Sequence, residues 1–395
     1  MSRRTRLVSG VIASAVAALT LAACSSASSS SSVSSAASGG ASSAASAGSS
    51  TSAPASAAVA QAKATVAALM QRPTTFTVPV LPQKPPSGKT VDFVVCATTT
   101  CQGFVPYLKE ATDAVGWKLQ TVQGGFEPQQ IANAWNKVLR DKPDGVIASG
   151  GIPPELFANQ LKQLQAEGIP VVLHDQPATS NPAVTGVVLS DAANRQFGQE
   201  LADLILSDSN GQNVHLALFV TPQVPVFANE DHALTSTIES SACQSCTVES
   251  SSFAVAAAGT TLPSQVVSFL RAHPDTNYVY FDFNDAVDGV PAALAQAGLS
   301  GKVKLLANNI AATQAAYMSA GQLWAVAANP WPETMWQDFN LILTKIENAP
   351  LAPALAVKLP NWILTKQNLP NLNGQPMFPL ALNYQQIFKQ AWHVS

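Results

Sequence analysis

The sequence predicts an α/β protein built from two open, parallel-sheet lobes. From about residue 90, short apolar runs rich in β-branched residues alternate with segments of helical length and amphipathic spacing. This is the pattern of a parallel sheet covered by helices. The alternation then occurs a second time along the chain. Roughly 300 residues of such elements match two domains of ordinary size, so we expect two lobes of similar construction.

Local chemistry supports the elements of the first half. Pro128 and Pro154 lie where the first turn of a helix tolerates proline, and Gly116 and Gly168 follow predicted helix ends. The predicted elements are a strand at 91–97, a helix at 104–115, a strand at 117–122, a helix at 129–140, a strand at 145–149, a helix at 155–167, and strands at 170–174 and 184–189.

The second half contains the same units in the same order. Its apolar runs are again short enough for strands, and the segments between them have helical length. The predicted helices are 193–206, 229–240, 263–273, 285–297, 313–320 and 334–346, and the predicted strands are 214–220, 247–253, 278–283, 303–307 and 323–328.

Residues 1–24 resemble the export signal of a bacterial lipoprotein. Arg3, Arg4 and Arg6 precede an apolar run at 7–20, and Leu-Ala-Ala-Cys ends at Cys24. The run, at roughly 14 residues, is shorter than the ~20 that span a bilayer, so a retained transmembrane anchor is the less favoured alternative. The tetrapeptide resembles a lipobox, which implies removal of residues 1–23 and anchoring to the outer face of the membrane by lipid on Cys24. An unmodified cysteine in an ordinary signal peptide is the alternative.

Residues 24–60 are predicted to be a tether. Ser and Ala account for 29 of the 36 residues from 25 to 60, and no charged residue occurs between Arg6 and Lys63. A coil of this length has an end-to-end distance of roughly 30–35 Å, enough to hold a domain away from a membrane. Residues 61–89 are predicted to be a lead-in, with a short helix at 61–71 and then a proline-rich stretch.

Charge balance and motifs exclude several function classes. Without residues 1–23 the chain has 18 basic and 24 acidic residues, and a mildly acidic exported protein is a poor nucleic-acid binder. The chain contains no G-x-S-x-G, G-x-G-x-x-G, phosphate-loop or H-E-x-x-H motif. His174 beside Asp175 could mimic a base with its orienting acid, but no nucleophile accompanies them. We therefore expect neither catalysis nor a cofactor.

Uncharged hydrogen-bonding residues follow many of the predicted strands. Ligands of open parallel sheets bind beyond the carboxyl ends of the strands, so these residues are candidate ligand contacts. Amides offer a donor and an acceptor together, and with aromatic faces they suit a neutral polyhydroxylated or amide-bearing ligand. The segments concerned are 98–104, 174–176, 221–223, 283–285, 308–309 and 329–331.

At these segments the chain resembles the type I periplasmic binding proteins, specifically the sugar-binding proteins of ABC importers related to ribose-binding protein. The resemblance covers roughly residues 88–370. It implies two Rossmann-like lobes joined by three hinge strands and closing on a ligand between them. The implied N-terminal lobe is 90–190 plus 330–358, and the implied C-terminal lobe with its tail is 191–329 plus 359–395.

The resemblance also implies the ligand contacts, position by position. In the loop 98–104, Gln102 would be a polar contact and Phe104 would stack on the ligand, while Asp175 matches an aspartate that accepts hydrogen bonds from sugar hydroxyls. Asn284 is the more favoured contact of the Asn284-Asp285 step, and Asn329 falls where a hinge amide reaches the ligand. The predicted ligand contacts are Thr98, Gln102, Phe104, Asp175, Asn229, Asn284, Asp285, Asn308, Asn329 and Trp331.

Several of these residues have a structural alternative. Phe104, Phe283 and Trp331 suit a lobe core equally well, Asp285 could be a helix N-cap, and Asn308 with Asn309 could cap the helix that follows.

Two positions depart from the family's pattern. Relatives have an arginine near 229 and an aspartate followed by glycine at 308–309, where this chain has Asn229, Asn308 and Asn309. Loss of the charged pair removes charge-assisted hydrogen bonds to hydroxyls. We therefore expect a neutral ligand such as a deoxy or aromatic glycoside, a cyclic polyol or another uncharged polar metabolite.

The remaining cysteines form two close pairs, Cys96 with Cys101 and Cys243 with Cys246. Exported proteins fold in an oxidising setting, so we predict two local disulfides, the first stiffening the ligand loop. A four-cysteine zinc site or a redox-active C-x-x-C is a less favoured alternative, and no metal is expected.

These observations predict a solute-binding lipoprotein, most simply a monomer, that captures a sugar-like ligand and delivers it to an ABC permease. The alternative is a sensor that presents its closed form to a receptor kinase, and a secreted hydrolase is the third. Residues 371–395 end in Tyr384, Phe388 and Trp392 at helical spacing, which predicts a short helix docked on a lobe. A partner-binding role is the alternative for this tail.

Overall fold

The computed structural model describes residues 52–240, 243 and 245–395. The predicted signal peptide, the lipidation site Cys24 and most of the tether lie outside the described residues. Within them, no helix has both the length and the apolar character needed to cross a membrane.

The first lobe is built on a five-stranded sheet that is parallel throughout, with strand order β2-β1-β3-β4-β5. Its central strands are almost continuously apolar and buried, as expected for a sheet covered on both faces. The strands are β1 (Thr90–Val95), β2 (Lys118–Gln123), β3 (Gly145–Ala148), β4 (Val171–His174) and β5 (Gly186–Val188).

Four helices cover this sheet. The helix α3 (Pro128–Asp141) illustrates why they form here: Pro128 begins it, Gln130 Oε1 accepts a hydrogen bond from the Glu127 backbone N–H at 3.3 Å, and Ile131, Trp135 and Val138 bury one face. The helices are α2 (Thr99–Ala114), α3 (Pro128–Asp141), α4 (Ala158–Ala166) and, from the far end of the chain, α10 (Trp331–Ile346).

The second lobe is built on a six-stranded sheet with strand order β11-β10-β9-β8-β6-β7, in which only β11 is antiparallel. Together with the first sheet this confirms the predicted α/β class with two open sheets. The strands are β6 (His215–Val220), β7 (Thr247–Ser252), β8 (Tyr278–Phe281), β9 (Lys304–Asn308), β10 (Ala325–Ala328) and β11 (Trp362–Thr365).

Helices also cover the second sheet, and the chain crosses between lobes near residues 189–190, 329–330 and 356–361. These crossings correspond to the expected hinge segments. The helices are α5 (Asp191–Ser209), α6 (Phe227–Ile238), α7 (Leu262–Ala272), α8 (Val290–Gln296) and α9 (Ala312–Ser319), and the short α11 (Leu351–Leu355) lies beside α10.

The N-terminal helix differs from its prediction in length, and the C-terminal helix differs in the lobe that it packs on. Helix α1 (Ser52–Leu69) begins well before residue 61 and packs Ala62 and Val66 on α5, because its alanine-rich sequence favours helix. Helix α12 (Tyr384–Ala391) confirms the predicted tail helix. It packs into the core of the first lobe, against Trp336, whereas the predicted division placed it with the second lobe.

The helix predicted at 285–297 is interrupted. Residues Asn284–Val287 form a single 3-10 turn, and α8 starts only at Val290 because Gly289 adopts φ +77°, which a residue with a side chain rarely adopts. Asp285 consequently lies inside the turn and does not cap a helix. The break keeps Asn284 and Asp285 at the carboxyl end of β8, facing the first lobe.

Candidate functional site

A cavity of about 70 Å³ lies between the lobes at the carboxyl ends of their strands, where open parallel sheets bind ligands. Its lining is mostly aromatic and aliphatic, with four polar side chains and the Cys96–Cys101 disulfide. The residues that line it are Cys96, Thr98, Thr100, Cys101, Phe104, Phe126, Gly150, Asp175, Val224, Phe227, Val255, Phe283, Asn284 and Trp331.

The loop after β1 is held by a cap and a disulfide. Thr98 caps α2, its hydroxyl accepting a hydrogen bond from the Cys101 backbone N–H. Cys96 and Cys101 are bonded with their Cα atoms 5.5 Å apart, as predicted. Cys243 and Cys246 form the other predicted disulfide, which is not part of the cavity lining. The first bridge fixes one wall of the cavity.

Phe104 lies between two other rings. Its centroid is 5.6 Å from that of His174 and 5.4 Å from that of Trp331, so all three pack as one aromatic unit. His174 is fully buried and its Nδ1 lies 2.8 Å from a carboxylate oxygen of Asp338. Burial lowers the pKa of His174, but the Asp338 carboxylate more than offsets this and leaves the pKa above its ordinary value. The buried contact between His174 and Asp338 therefore supports this wall from beneath.

Asp175 is the only residue with a carboxylate among the described residues that line the cavity. Its backbone adopts φ +55° directly after β4, a conformation that non-glycine residues adopt mainly where the surrounding structure imposes it. Its pKa is raised to about 6, chiefly by burial and further by the charge of Asp338. The charge of His174 and a hydrogen bond from Asn194 act in the opposite direction. At neutral pH the group is predominantly ionised.

A hydrogen-bonded latch joins the lobes beside the cavity. The Thr100 hydroxyl donates to Asp285 at 2.6 Å, its backbone N–H donates to the same carboxylate at 3.2 Å, and Asn284 Nδ2 donates to the Thr100 hydroxyl at 2.8 Å. Thr100 belongs to the first lobe and the other two residues to the second. The lobes are therefore in contact, and the arrangement is a closed one.

Apolar residues complete the closure at the opposite side. Phe126, from the first lobe, packs against the cluster of Val224, Val226 and Phe227 in the second. Gly151 approaches so closely that a Cβ built on it would lie 2.3 Å from Val224 Cγ1. The two lobes thus meet through hydrocarbon on this side and through hydrogen bonds on the other.

The structure brings five of the ten predicted ligand contacts to the cavity, namely Thr98, Phe104, Asp175, Asn284 and Trp331. Asp285 lies beside it in the latch. Three aromatic residues pack into hydrophobic clusters and also line the cavity, namely Phe104, Phe283 and Trp331. Each of them is therefore both part of a lobe core and part of the cavity wall.

Four predicted contacts lie elsewhere. Gln102 is exposed and donates to the Cys96 carbonyl at 2.8 Å, because it is on the opposite face of α2 from Thr100 and Phe104. Asn229 donates to Asp191 at 2.8 Å, within the second lobe. Asn308 and Asn329 are buried and bonded to each other at 3.1 Å. None of the four lines the cavity.

A buried carboxylic acid explains the position of Asn308. Glu230, in α6, accepts hydrogen bonds from the Tyr280 hydroxyl and from Asn308 Nδ2. Burial raises the pKa of Glu230 well above its usual range, and the nearby Asp231 and Asp282 raise it further. Asn308 is therefore hydrogen-bonded within the second lobe, to Glu230 and to Asn329, and not directed into the cavity.

Sequence reasoning missed Phe126, Val224, Phe227 and Val255, and it included Thr100 only as a member of the candidate loop 98–104. Phe126 follows β2 and Phe227 follows the loop after β6, so both lie beyond the carboxyl end of a strand, where ligand contacts are expected. The sequence was searched there for hydrogen-bonding side chains, and apolar side chains do not meet that criterion.

A family model described as a periplasmic binding protein domain matches residues 97–346 of the chain. A search of curated proteins finds no match.

Solved structures share the fold. The chain is similar to an ABC sugar transporter subunit from Rhodobacter sphaeroides, at 17% identity and a TM-score of 0.60, covering 71% of this chain and 99% of that one. It is similar to a 5-methylthioribose transporter solute-binding protein from Thermotoga lettingae, at 12% identity and 0.63, covering 78% and 99%. It is also similar to the fructose-binding periplasmic domain of a hybrid two-component system, at 16% and 0.61, covering 71% and 92%.

Proposed function

Because the chain belongs to the periplasmic binding protein family, we propose that it is a solute-binding lipoprotein that captures a small ligand between its lobes for an ABC importer. Members of this family are extracytoplasmic solute-binding proteins and are not enzymes. The observation that carries the proposal is a cavity lined from both lobes at the carboxyl ends of their strands. A ligand that contacts both walls stabilises the closed state by its differential affinity, and a permease recognises that state.

The proposed anchor is lipid on Cys24, with residues 24 to about 51 as the tether. Its support is the lipobox-like Leu-Ala-Ala-Cys and the Ser/Ala-rich stretch that follows. Metabolic labelling with a fatty-acid analogue tests it. Label should enter the wild-type chain and not the Cys24→Ala variant, whereas label in both, or in neither, contradicts the proposal.

We propose a sugar-like ligand with an apolar face. Phe104 and Trp331 offer ring surfaces, and Asp175 offers an acceptor. The cavity of about 70 Å³ is small beside the roughly 150 Å³ site that binds benzene in an engineered protein, so ligand entry requires the lobes to separate. The few polar groups favour a deoxy sugar or an aryl glycoside over a fully hydroxylated hexose.

A thermal-shift screen of the full chain tests this function. Neutral sugars, deoxy sugars, aryl glycosides, polyols, nucleosides and amines are compared. A ligand present at about 100 times its Kd adds about 2.7 kcal/mol, which raises the Tm by a few degrees in a protein of this size. We expect hits among small compounds with a ring and few hydroxyls. Absence of any hit, amines included, contradicts small-molecule capture.

Sensing is the second candidate, since one structural neighbour is the periplasmic domain of a hybrid two-component system. Uptake of a radiolabelled hit separates the two. Loss of uptake on deletion of the gene supports import, whereas unchanged uptake with a lost transcriptional response supports sensing.

A further inference from the structure

The cavity between the lobes presents aromatic faces and one carboxylate. Five aromatic residues line it, namely Phe104, Phe126, Phe227, Phe283 and Trp331. No Lys, Arg or His is among its lining residues. The nearest basic group beneath the wall, His174, is already paired with Asp338. The charge of Asp175 therefore has no cationic partner among the residues that line the cavity.

The polar side chains that line the cavity have committed their donors. The Thr100 hydroxyl donates to Asp285, and Thr98 also hydrogen-bonds to that carboxylate. Asn284 Nδ2 lies within hydrogen-bond distance of Thr100, Asp285 and Gln314. The indole N–H of Trp331 has no hydrogen-bond partner among the described residues, but it is buried and so is not accessible to a ligand in this closed arrangement. What remains open to a ligand is acceptor capacity, chiefly that of Asp175.

A ligand hydroxyl both donates and accepts, whereas an ammonium group only donates. A cavity with spare acceptors and no accessible spare side-chain donors therefore suits an ammonium group better than a set of hydroxyls. A neutral ligand that sealed the cavity would leave the Asp175 carboxylate with no counter-charge except that of His174, which already pairs with Asp338, and a buried charge without its own partner is costly. Aromatic faces attract a cation through the ring quadrupole.

We propose that the ligand of this cavity is an organic monocation, a primary or secondary ammonium on a small hydrocarbon or ring framework, with the ammonium against Asp175. This inference rests on the proposed solute-binding function, and it replaces the neutral sugar-like ligand with a cationic one. The aromatic walls hold the framework, and the carboxylate supplies a charge-assisted hydrogen bond.

Matched pairs of probes test the charge alone. Binding of benzylamine and benzyl alcohol, and of cyclohexylamine and cyclohexanol, is measured by calorimetry on the full chain at about pH 7.5, where both amines are protonated. We expect each amine to bind at least about tenfold more tightly than its alcohol, the size of one charge-assisted hydrogen bond. The Asp175→Asn variant should abolish that difference, and Asp113→Asn, an exposed acid on α2, should preserve it.

The outcomes separate this inference from the proposed function. Equal or tighter binding of the alcohols overturns the cationic ligand and leaves solute capture intact. A preference for amines that survives in Asp175→Asn overturns the assignment to this carboxylate. No binding of any of the four probes overturns the inference, while a hit among the neutral compounds of the thermal-shift screen would still support solute capture.

Discussion

The two lobes contribute opposite kinds of surface to the same cavity. The first lobe brings Asp175, the disulfide-held loop and the Phe104 ring to it. The second lobe brings one amide, that of Asn284, to the cavity and turns Asn308 inward, where it bonds to Glu230 and to Asn329. It presents mainly hydrocarbon, such as Val224 and Phe227. A polar residue at a strand end is thus available to a ligand only if it is not already hydrogen-bonded to a buried partner.

The largest expected effect comes from breaking the buried hydrogen bonds that Glu230 accepts from Tyr280 and Asn308. Glu230→Ala should lower the free energy of unfolding by about 2–5 kcal/mol, because it leaves the Tyr280 hydroxyl and the Asn308 amide buried without their acceptor. Urea denaturation measures it. Glu230→Gln is the matched control and should cost about 1 kcal/mol, because it keeps one of the two acceptor oxygens at this position. If Glu230→Ala left the free energy of unfolding unchanged, these hydrogen bonds would not be what stabilises the second lobe.

The next effect contrasts the lobes directly. Asp175→Ala should weaken binding of the best hit from the thermal-shift screen by about 1–3 kcal/mol, roughly fivefold to 150-fold, with the fold retained. Asn229→Ala should leave affinity unchanged, because Asn229 bonds to Asp191 away from the cavity. Calorimetry measures both. Equal losses in the two variants would contradict the asymmetry between the lobes.

The latch between the lobes should have a smaller effect. Thr100→Val removes the hydroxyl that donates to Asp285 and should weaken ligand binding by about 1 kcal/mol, because the closed state loses one hydrogen bond. Small-angle scattering of the ligand-free variant should show a larger radius of gyration. Thr99→Val changes an exposed neighbour and serves as the control. A compact, fully active Thr100→Val protein would mean that the latch does not set closure.

Sequence was sufficient for the fold and for part of the cavity. Alternating apolar runs located nearly every strand of both sheets, since buried parallel strands and amphipathic helices leave clear periods. The sequence was not sufficient to predict which way each side chain points from its helix or strand. Gln102 was misplaced because α2 begins at Thr99, earlier than predicted, and residues two apart on a helix point to different faces.

Long-range partners were equally out of reach. Asn308 and Glu230 are 78 positions apart, and nothing local in either segment indicates that they bond. Strand β11, which reverses direction at the edge of the second sheet, was likewise missed because its short apolar run lies outside the alternation.

The smallest expected effect is the pH dependence contributed by Asp175. Its pKa is about 6 in the folded protein, above the ordinary 3.8, so the folded state favours the protonated form. The stability this contributes is present below about pH 4 and is lost as the pH rises to about 6. Asp175→Asn cannot titrate there, so wild type should lose about 1 kcal/mol relative to the variant across that interval, after allowance for solvent screening. His174, Asp338 and Asn194 face this carboxylate and are unchanged in the variant. Urea denaturation at several pH values measures the difference. A constant difference across that range would indicate that Asp175 keeps an ordinary pKa, and hence that the first-lobe wall is wetter than the closed arrangement allows.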